Sequence, residues 1–251
     1  MEITLQDRTA VVTGAAKGIG ASIAEALAAA GAAVVVNYRT DEAAAQRVVA
    51  RITAAGGRAL AVRADVGRGE DVAELFAAAR KAYGVVDLLV NNAAVVTFAP
   101  LGAVSEADWR RQTDTNLWGP MQTMQALIGQ PDLRGPASVI NVSTAGTTSH
   151  PPYSAAYVAS KAGLEAATLV AAKELGPRGI RVNTIAPSVS DTDGTRAMGF
   201  IGSPLADAAV TEIPLGRLGT PDDYGPVAVF LASDAARWVS GALIHVSGGQ
   251  R

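Results

Sequence analysis

Thr9-Ala10-Val11-Val12-Thr13-Gly14-Ala15-Ala16-Lys17-Gly18-Ile19-Gly20 is the stretch on which the fold turns. Its first part is apolar and β-branched, the composition of a buried strand. Glycines follow at 14, 18 and 20, and residues 21–30 are strong helix formers closed by Gly31. Strand, glycine turn and helix, in that order, form the setting in which a dinucleotide is bound. Glycines let the backbone approach a pyrophosphate, and the helix N-terminus offers free N–H groups to its charge. The spacing here is G-x-x-x-G-x-G rather than G-x-G-x-x-G. A tight strand-to-helix turn with no ligand would show the same triplet.

The pattern continues outward from that turn. Strand-like apolar runs occupy 10–13, 33–37, 59–63, 88–91, 138–143, 181–185 and 243–246. Helical patterns occupy 19–30, 42–55, 69–82, 106–127, 157–175 and 222–232. This alternation predicts an α/β fold with a parallel sheet and helices on both faces. No Pro/Ser/Gly linker or internal repeat divides the chain, so residues 1–251 read as a single domain. The least regular stretch, 188–213, reads as either a lid beside a site or a solvated loop.

Bulk properties narrow the function classes. The chain has 251 residues, and the hydrophobic share of 49% suffices for a substantial core. A net charge of −2 offers no basic field for nucleic acid and no polybasic anchor for a membrane surface. There is no cysteine, which excludes disulfides and thiolate metal sites. Of the two histidines, His150 reads as a solvated loop residue and His245 as structural, so no metal site is expected. Met1-Glu2-Ile3-Thr4 is not a signal peptide, and a cytoplasmic protein is the expectation.

A second signal lies in Tyr157-Val158-Ala159-Ser160-Lys161. On a helix, positions four apart share a face. A phenol and an ammonium would then point into one space, and the cation would favour the phenolate and lower the phenol pKa from about 10. With a hydroxyl from Ser143, in Ser143-Thr144-Ala145-Gly146, the group becomes a proton donor to a carbonyl or a base for an alcohol. Taken alone, the pair more often means a half-buried aromatic under a snorkelling lysine.

The two signals together resemble the short-chain dehydrogenase/reductases. Thr13-Gly14-x-x-x-Gly18-Ile19-Gly20, Asn91-Asn92-Ala93, Asn116, Ser143, Tyr157-x-x-x-Lys161 and Asn183-x-x-x-Pro187 match that family in order and spacing. The likeness is to its single-domain branch, which includes β-ketoacyl-acyl-carrier-protein reductases and ketone reductases. It implies a Rossmann-type, doubly wound parallel sheet of seven strands. It makes Tyr157 the general acid, has Lys161 bond the nicotinamide ribose, and has Asn116 anchor a water linking Lys161 to solvent. The catalytic hydroxyl is Ser143, fourteen residues before Tyr157, with Thr144 at thirteen as the alternative.

The cofactor set follows from the same resemblance. Gly14, Lys17, Gly18, Ile19 and Gly20 would cradle the pyrophosphate. Asp65 and Val66 would meet the adenine edge, and the segment Asn91-Asn92-Ala93 would lie beside the adenosine ribose. Pro187, Val189 and Thr192 would meet the nicotinamide carboxamide. Pro187-Ser188 stands where the family has Pro-Gly, so a positive φ there would be strained. After the second strand, Asn37-Tyr38-Arg39 lacks the acid that binds a ribose 2′-OH. Arg39 and Lys17 would instead pair with a 2′-phosphate, pointing to NADP(H), although Asp41 could claim Arg39.

The expected activity is reversible, NADPH-dependent reduction of a small-molecule ketone or aldehyde. The alternatives are reduction of a β-ketoacyl chain on acyl carrier protein, for which Arg178 and Arg181 are the available cations, and a non-catalytic NADP(H)-binding protein. The resemblance also implies a homotetramer, with a dimer second, through the helices at 106–127 and 157–175 and the strand at 243–246.

Overall fold

The computed structural model describes residues 3–250. Seven strands form one parallel sheet: β1 (Thr9–Val12), β2 (Ala33–Tyr38), β3 (Arg58–Arg63), β4 (Leu88–Asn91), β5 (Ala137–Val142), β6 (Ile180–Pro187) and β7 (Leu243–Val246). Their order is β3-β2-β1-β4-β5-β6-β7, and every pairing is parallel. The expected doubly wound sheet is therefore present, with strand ends within a few residues of the sequence reading.

Alternation along the buried strands builds two cores. Val12, Val34, Val36, Leu88, Val90, Ile140, Val142 and Ile185 face one way. They pack against α1 (Gly18–Ala29), α2 (Glu42–Ala54) and, later in the chain, the helix Gly225–Ala232. Val11, Val35, Leu89, Val139 and Val182 face the other way. There they meet α3 (Gly69–Tyr83), with α4 (Glu106–Thr113) and α5 (Gly119–Ile128) following it in the chain. A sheet covered on both faces requires such continuous apolar strands, and this chain supplies them.

Strand order reverses between β1 and β4, opening a crevice outside their C-terminal ends. Ligands of doubly wound sheets bind at that switch point. The glycine turn after β1 and the segment Asn92-Ala93 after β4 both lie there.

Three expectations need correction. The helix read at 106–127 is not uniform: α4 runs into a π-helical turn at Asp114–Trp118 before α5 begins, with Gly119 N–H donating to the Asp114 carbonyl. Pro120 accounts for the break, since it has no N–H to give to the carbonyl of Asn116 four residues earlier. The irregular stretch at 188–213 contains two short helices. These follow α6 (Gly146–Ser149) and α7 (Ala155–Leu175) as α8 (Asp193–Ala197) and α9 (Pro204–Glu212). Serine and threonine set their starts: Thr192 and Thr195 form a capping box, and Ser203 caps α9. The last helix, α10 (Gly225–Ala232), begins later than expected, because 3₁₀ geometry takes Pro221–Asp223.

Candidate active site

The glycine turn is built around close backbone approach. Gly14 has φ +61°, and a Cβ there would lie 2.8 Å from Ala93 Cα. A Cβ on Gly20 would lie 2.3 Å from Asn92 Nδ2 and 2.7 Å from the Gly14 carbonyl. That amide ties the turn together, donating to the carbonyls of Thr13 (2.9 Å) and Gly14 (3.0 Å). The Thr13 hydroxyl in turn accepts from Asn92 N and Ala93 N, each at 3.0 Å. Helix α1 opens at Gly18 with no side-chain cap and no acid in its first turn. Its N-terminal charge is thus left for an anion. A carboxylate already uses it: Asp193 Oδ2, from α8, accepts from Gly18 N at 3.3 Å. The residues present fit a dinucleotide pyrophosphate.

Asn37 departs from its expected place. Its side chain is buried, accepting from Gly14 N (3.2 Å) and donating to the carbonyls of Val62 (3.3 Å) and Ala64 (3.1 Å). It holds the glycine turn against β3 instead of facing a ribose. Tyr38 is also buried, which leaves Arg39 exposed at the end of β2. Arg39 lies 3.8 Å from Asp65, a loose pair, whereas Asp41 caps α2 through Ala44 N. Asp41 therefore does not claim Arg39. Asp65 and Val66 follow β3, with Asp65 Oδ1 accepting from Gly67 N. Asn91 turns inward as well: it accepts from Thr123 Oγ1 (2.6 Å) and donates to Asn141 Oδ1 (2.9 Å). Of the Asn91-Asn92-Ala93 segment, Asn92 and Ala93 line the crevice.

Tyr157 and Lys161 sit one turn apart on α7, as their spacing requires. Lys161 is 2% exposed, and its ammonium donates to the Val142 carbonyl at 2.7 Å. Burial pulls it down to about 8, against the opposing charge of Glu165. Burial pushes the Tyr157 phenol up to about 12, opposed by a hydrogen bond with the Thr144 side chain. The expected lowering by Lys161 is absent from this form, because the ammonium is engaged at the end of β5 and desolvation sets the phenol. At neutral pH the phenol keeps its proton.

The hydroxyl beside Tyr157 is that of Thr144, not Ser143. Ser143 Oγ donates to Glu165 Oε1 at 2.5 Å and is buried there. Thr144 Oγ1 accepts from Gly146 N at 3.1 Å and stands next to the phenol. Ser143 is thus committed to Glu165, and Thr144, the alternative at thirteen, is the hydroxyl that acts on the phenol.

Asn116 lies in the π-helical turn, fully buried. Its side chain clamps the backbone of Val95, accepting from N (2.8 Å) and donating to O (2.9 Å), and also donates to Ser160 Oγ (3.0 Å). Ser160 passes the link to α7 by donating to the Tyr157 carbonyl. Both amide hydrogens of Asn116 are thus engaged, and its backbone carbonyl is the group that Pro120 leaves without its usual donor.

Along the lid side, the Pro187 carbonyl accepts from Ala145 N (2.7 Å) and the Val189 carbonyl from Gly219 N (3.1 Å). Ser188 is not among the residues with positive φ, so its replacement of glycine introduces no strain. The Thr192 hydroxyl caps α8 by accepting from Thr195 N. Glu165, Ser160 and Asp193 entered no sequence reading. Only Glu165 carried a signal, its place four residues beyond Lys161.

Comparisons with known proteins bear on the family and the fold. A family model described as enoyl-(acyl carrier protein) reductase matches residues 14–251. An uncharacterised oxidoreductase of Methylorubrum extorquens is 47% identical, covering 98% of this chain and 99% of the relative. 3beta-hydroxysteroid dehydrogenase 1 of Eggerthella lenta is 41% identical, at 98% and 94% coverage. A 3-oxoacyl-[acyl-carrier-protein] reductase of Staphylococcus epidermidis is 38% identical, at 97% and 98%. A solved dehydrogenase/reductase of Sinorhizobium meliloti superposes with a TM-score of 0.92 at 35% identity, covering 99% of this chain and 96% of that one. A Beutenbergia cavernae protein described as an NAD(P)-dependent gluconate 5-dehydrogenase, solved with NADP at low occupancy, gives 0.91 at 37% identity and 99% and 98% coverage. The chain belongs to the short-chain dehydrogenase/reductase family and is one of its oxidoreductases.

Proposed function

We propose that the protein is an NADP(H)-dependent reductase of a small, apolar ketone or aldehyde, running in reverse as an alcohol dehydrogenase. The observation that carries this reading is the placement of Tyr157, Thr144 and Lys161 beside a glycine cradle at the switch point of the sheet. When bound, the cofactor supplies or takes up the hydride. The Thr144 hydroxyl would hold the carbonyl oxygen against the Tyr157 phenol. Tyr157 would give that oxygen its proton as the carbon is reduced, and would receive it back in the reverse direction. Lys161 would stabilise the resulting phenolate, and a water at the Asn116 carbonyl would return the proton from solvent.

The preference for NADP rests on charge. Lys17 forms no ion pair among the described residues, and Arg39 has only the loose Asp65 contact. No acid of the end of β2 stands against a 2′-phosphate. The cleft of about 540 Å³ beside the glycine turn is mixed in charge, with Lys17, Arg47 and Arg51 facing Glu25, Asp41, Asp193 and Asp222, so the preference rests on Lys17 and Arg39.

Substrate class is argued from the rim. The loops after β4 and β5 are joined where Ala99 N donates to the Tyr153 carbonyl (2.8 Å), and they expose Phe98 and Tyr153. The lid exposes Met198 and Leu205. Arg110, Arg111, Arg196 and Arg217 are each paired with a carboxylate. Arg178 and Arg181, the cations considered for an acidic carrier, belong to the opposite end of the sheet. Arg181, near the start of β6, donates to the carbonyls of Leu231 and Ser233, and Arg178 to that of Ile128. A rim of this kind suits an apolar ketone better than an acidic carrier protein. The carrier-linked reading retains support from the 38% identical reductase.

We further place the protein in the cytoplasm as a homotetramer. Among the described residues no helix is long and apolar enough to cross a membrane. Trp109, Trp118, Leu169 and Val170 are exposed on α4, the π-turn and α7, and Trp238 beside edge strand β7 is 97% exposed. Such patches are more than a monomer needs. A screen of carbonyl compounds followed by NADPH absorbance tests the reading. Turnover of an apolar ketone, faster with NADPH than NADH, is expected. Activity only on carrier-linked thioesters would select the alternative.

A further inference from the structure

We propose that Glu165 is a positioning residue for this chemistry: its carboxylate clamps the turn that presents Thr144 to Tyr157 and supplies the counter-charge of the Lys161 ammonium. The inference rests on the reductase reading for its catalytic half; the clamp rests on hydrogen bonds, and the counter-charge on the place of Glu165 one turn beyond Lys161 on α7.

Three side chains succeed one another along one stripe of α7, at 157, 161 and 165. Four-residue steps keep them on neighbouring turns. Glu165 is half-buried, and its Oε1 accepts from two hydroxyls on the segment after β5, Ser143 (2.5 Å) and Thr147 (2.8 Å). Thr147 Oγ1 also lies 2.8 Å from the Thr144 carbonyl. The carboxylate therefore grips the turn on both sides of Thr144. Charge-assisted bonds of this kind are roughly twice as strong as neutral ones. They would hold the Thr144 hydroxyl in place where a small displacement matters most.

The second part concerns charge. A buried ammonium with a carbonyl partner alone would readily lose its proton. Glu165 lies one turn beyond Lys161 on α7, and its charge opposes the loss of the ammonium proton. The other elements packed on α7 offer no substitute. On α4, Arg110 pairs with Glu106 and Arg111 with Asp108. Asp114 in the π-turn and His150 after α6 are exposed, and Arg181 on β6 is engaged with carbonyls. Tyr157, on the same helix, is neutral at working pH.

Glu165→Gln keeps an acceptor for Ser143 and Thr147 but removes the charge, whereas Glu165→Ala removes both. The chain has four lysines, Lys17, Lys81, Lys161 and Lys173. Their ε-carbons, labelled with ¹³C and assigned through Lys161→Arg, give a titration that needs no substrate. In Glu165→Gln the Lys161 midpoint should fall from about 8 by roughly one unit, the lower range for losing a nearby opposite charge. The alkaline limb of kcat should move to lower pH by the same amount, because the ammonium is then lost earlier. Glu165→Ala should lose a further tenfold or so in kcat at every pH, with little change in KM. An unshifted Lys161 midpoint in Glu165→Gln overturns the counter-charge whatever the carbonyl screen returns. A Glu165→Ala variant that loses thermal stability but keeps the parent kcat overturns the clamp. A shifted midpoint in a protein that reduces no carbonyl would instead count against the reductase reading and uphold the counter-charge.

Discussion

Thr144 and Ser143 are adjacent hydroxyls with different partners, and two substitutions should separate the work proposed for them. Thr144→Val is nearly isosteric and removes the hydroxyl that bonds the Tyr157 phenol and accepts from Gly146 N. If that hydroxyl holds the carbonyl oxygen as charge develops on it, its loss should raise the barrier by about 3 kcal/mol, or about 10²-fold in kcat. Its effect on folding should be about 1 kcal/mol, because Gly146 N loses its acceptor while the backbone of Ala145 stays bonded to Pro187. Ser143→Ala removes a hydrogen bond to a carboxylate, which contributes about 1.5–3 kcal/mol to stability. Thr147 still holds Glu165, and Ser143 N still donates to the Ile185 carbonyl, so the low end applies. At about 2–4 °C per kcal/mol for a chain of this size, Tm should fall by roughly 3–6 °C. Turnover should fall less than tenfold. Steady-state kinetics with NADPH, beside thermal melts of both variants, reads the contrast. A larger loss of kcat in Ser143→Ala than in Thr144→Val, with Tm unmoved, would refute the assignment.

Other perturbations reach the cofactor cradle. Gly20→Ala drives a methyl into Asn92 Nδ2 and should break both bonds of that amide, lowering stability by about 3 kcal/mol from overpacking and lost hydrogen bonds. A melt within about 2 °C of the parent would contradict the clash. Arg39→Ala and Lys17→Ala should each weaken NADPH more than NADH, narrowing the gap between them in a binding titration. Equal affinities for both cofactors in the parent would end that argument. Asp193→Asn removes an anion from the N-terminus of α1, where it would oppose a pyrophosphate. NADPH should bind about two- to fivefold more tightly, the worth of a helix-terminal charge, and unchanged affinity would show that the lid contact does not compete.

Much of this was legible in the chain because periodicity encodes it. Continuous Val, Leu and Ile runs flanked by helical patterns announce strands buried on two faces, and the alternation of Val11 against Val12, or Val35 against Val36, divides them between the two cores. Tyr157 and Lys161 were found because four residues is one helical turn. What was not legible depends on contacts across long separations. Ser143 outranked Thr144 on spacing, but Glu165, 22 residues on, claims Ser143. Asn37 stood at the end of a strand, yet Gly14, Val62 and Ala64 turn its amide inward. Arg178 and Arg181 are near Pro187 in sequence, but β6 carries them to the far end of the sheet. The π-turn at Asn116 had a visible cause in Pro120, because a proline four residues on deprives a carbonyl of its donor.

The central claim is that Tyr157 gives the proton to the carbonyl. Tyr157→Phe removes one hydroxyl and keeps the ring, so melts and NADPH binding should stay close to the parent. With the best carbonyl from the screen, kcat should fall by a factor on the order of 10²–10⁴. A variant that kept most of the parent rate on that substrate would contradict the account and favour a cofactor-binding protein over an enzyme built around this phenol.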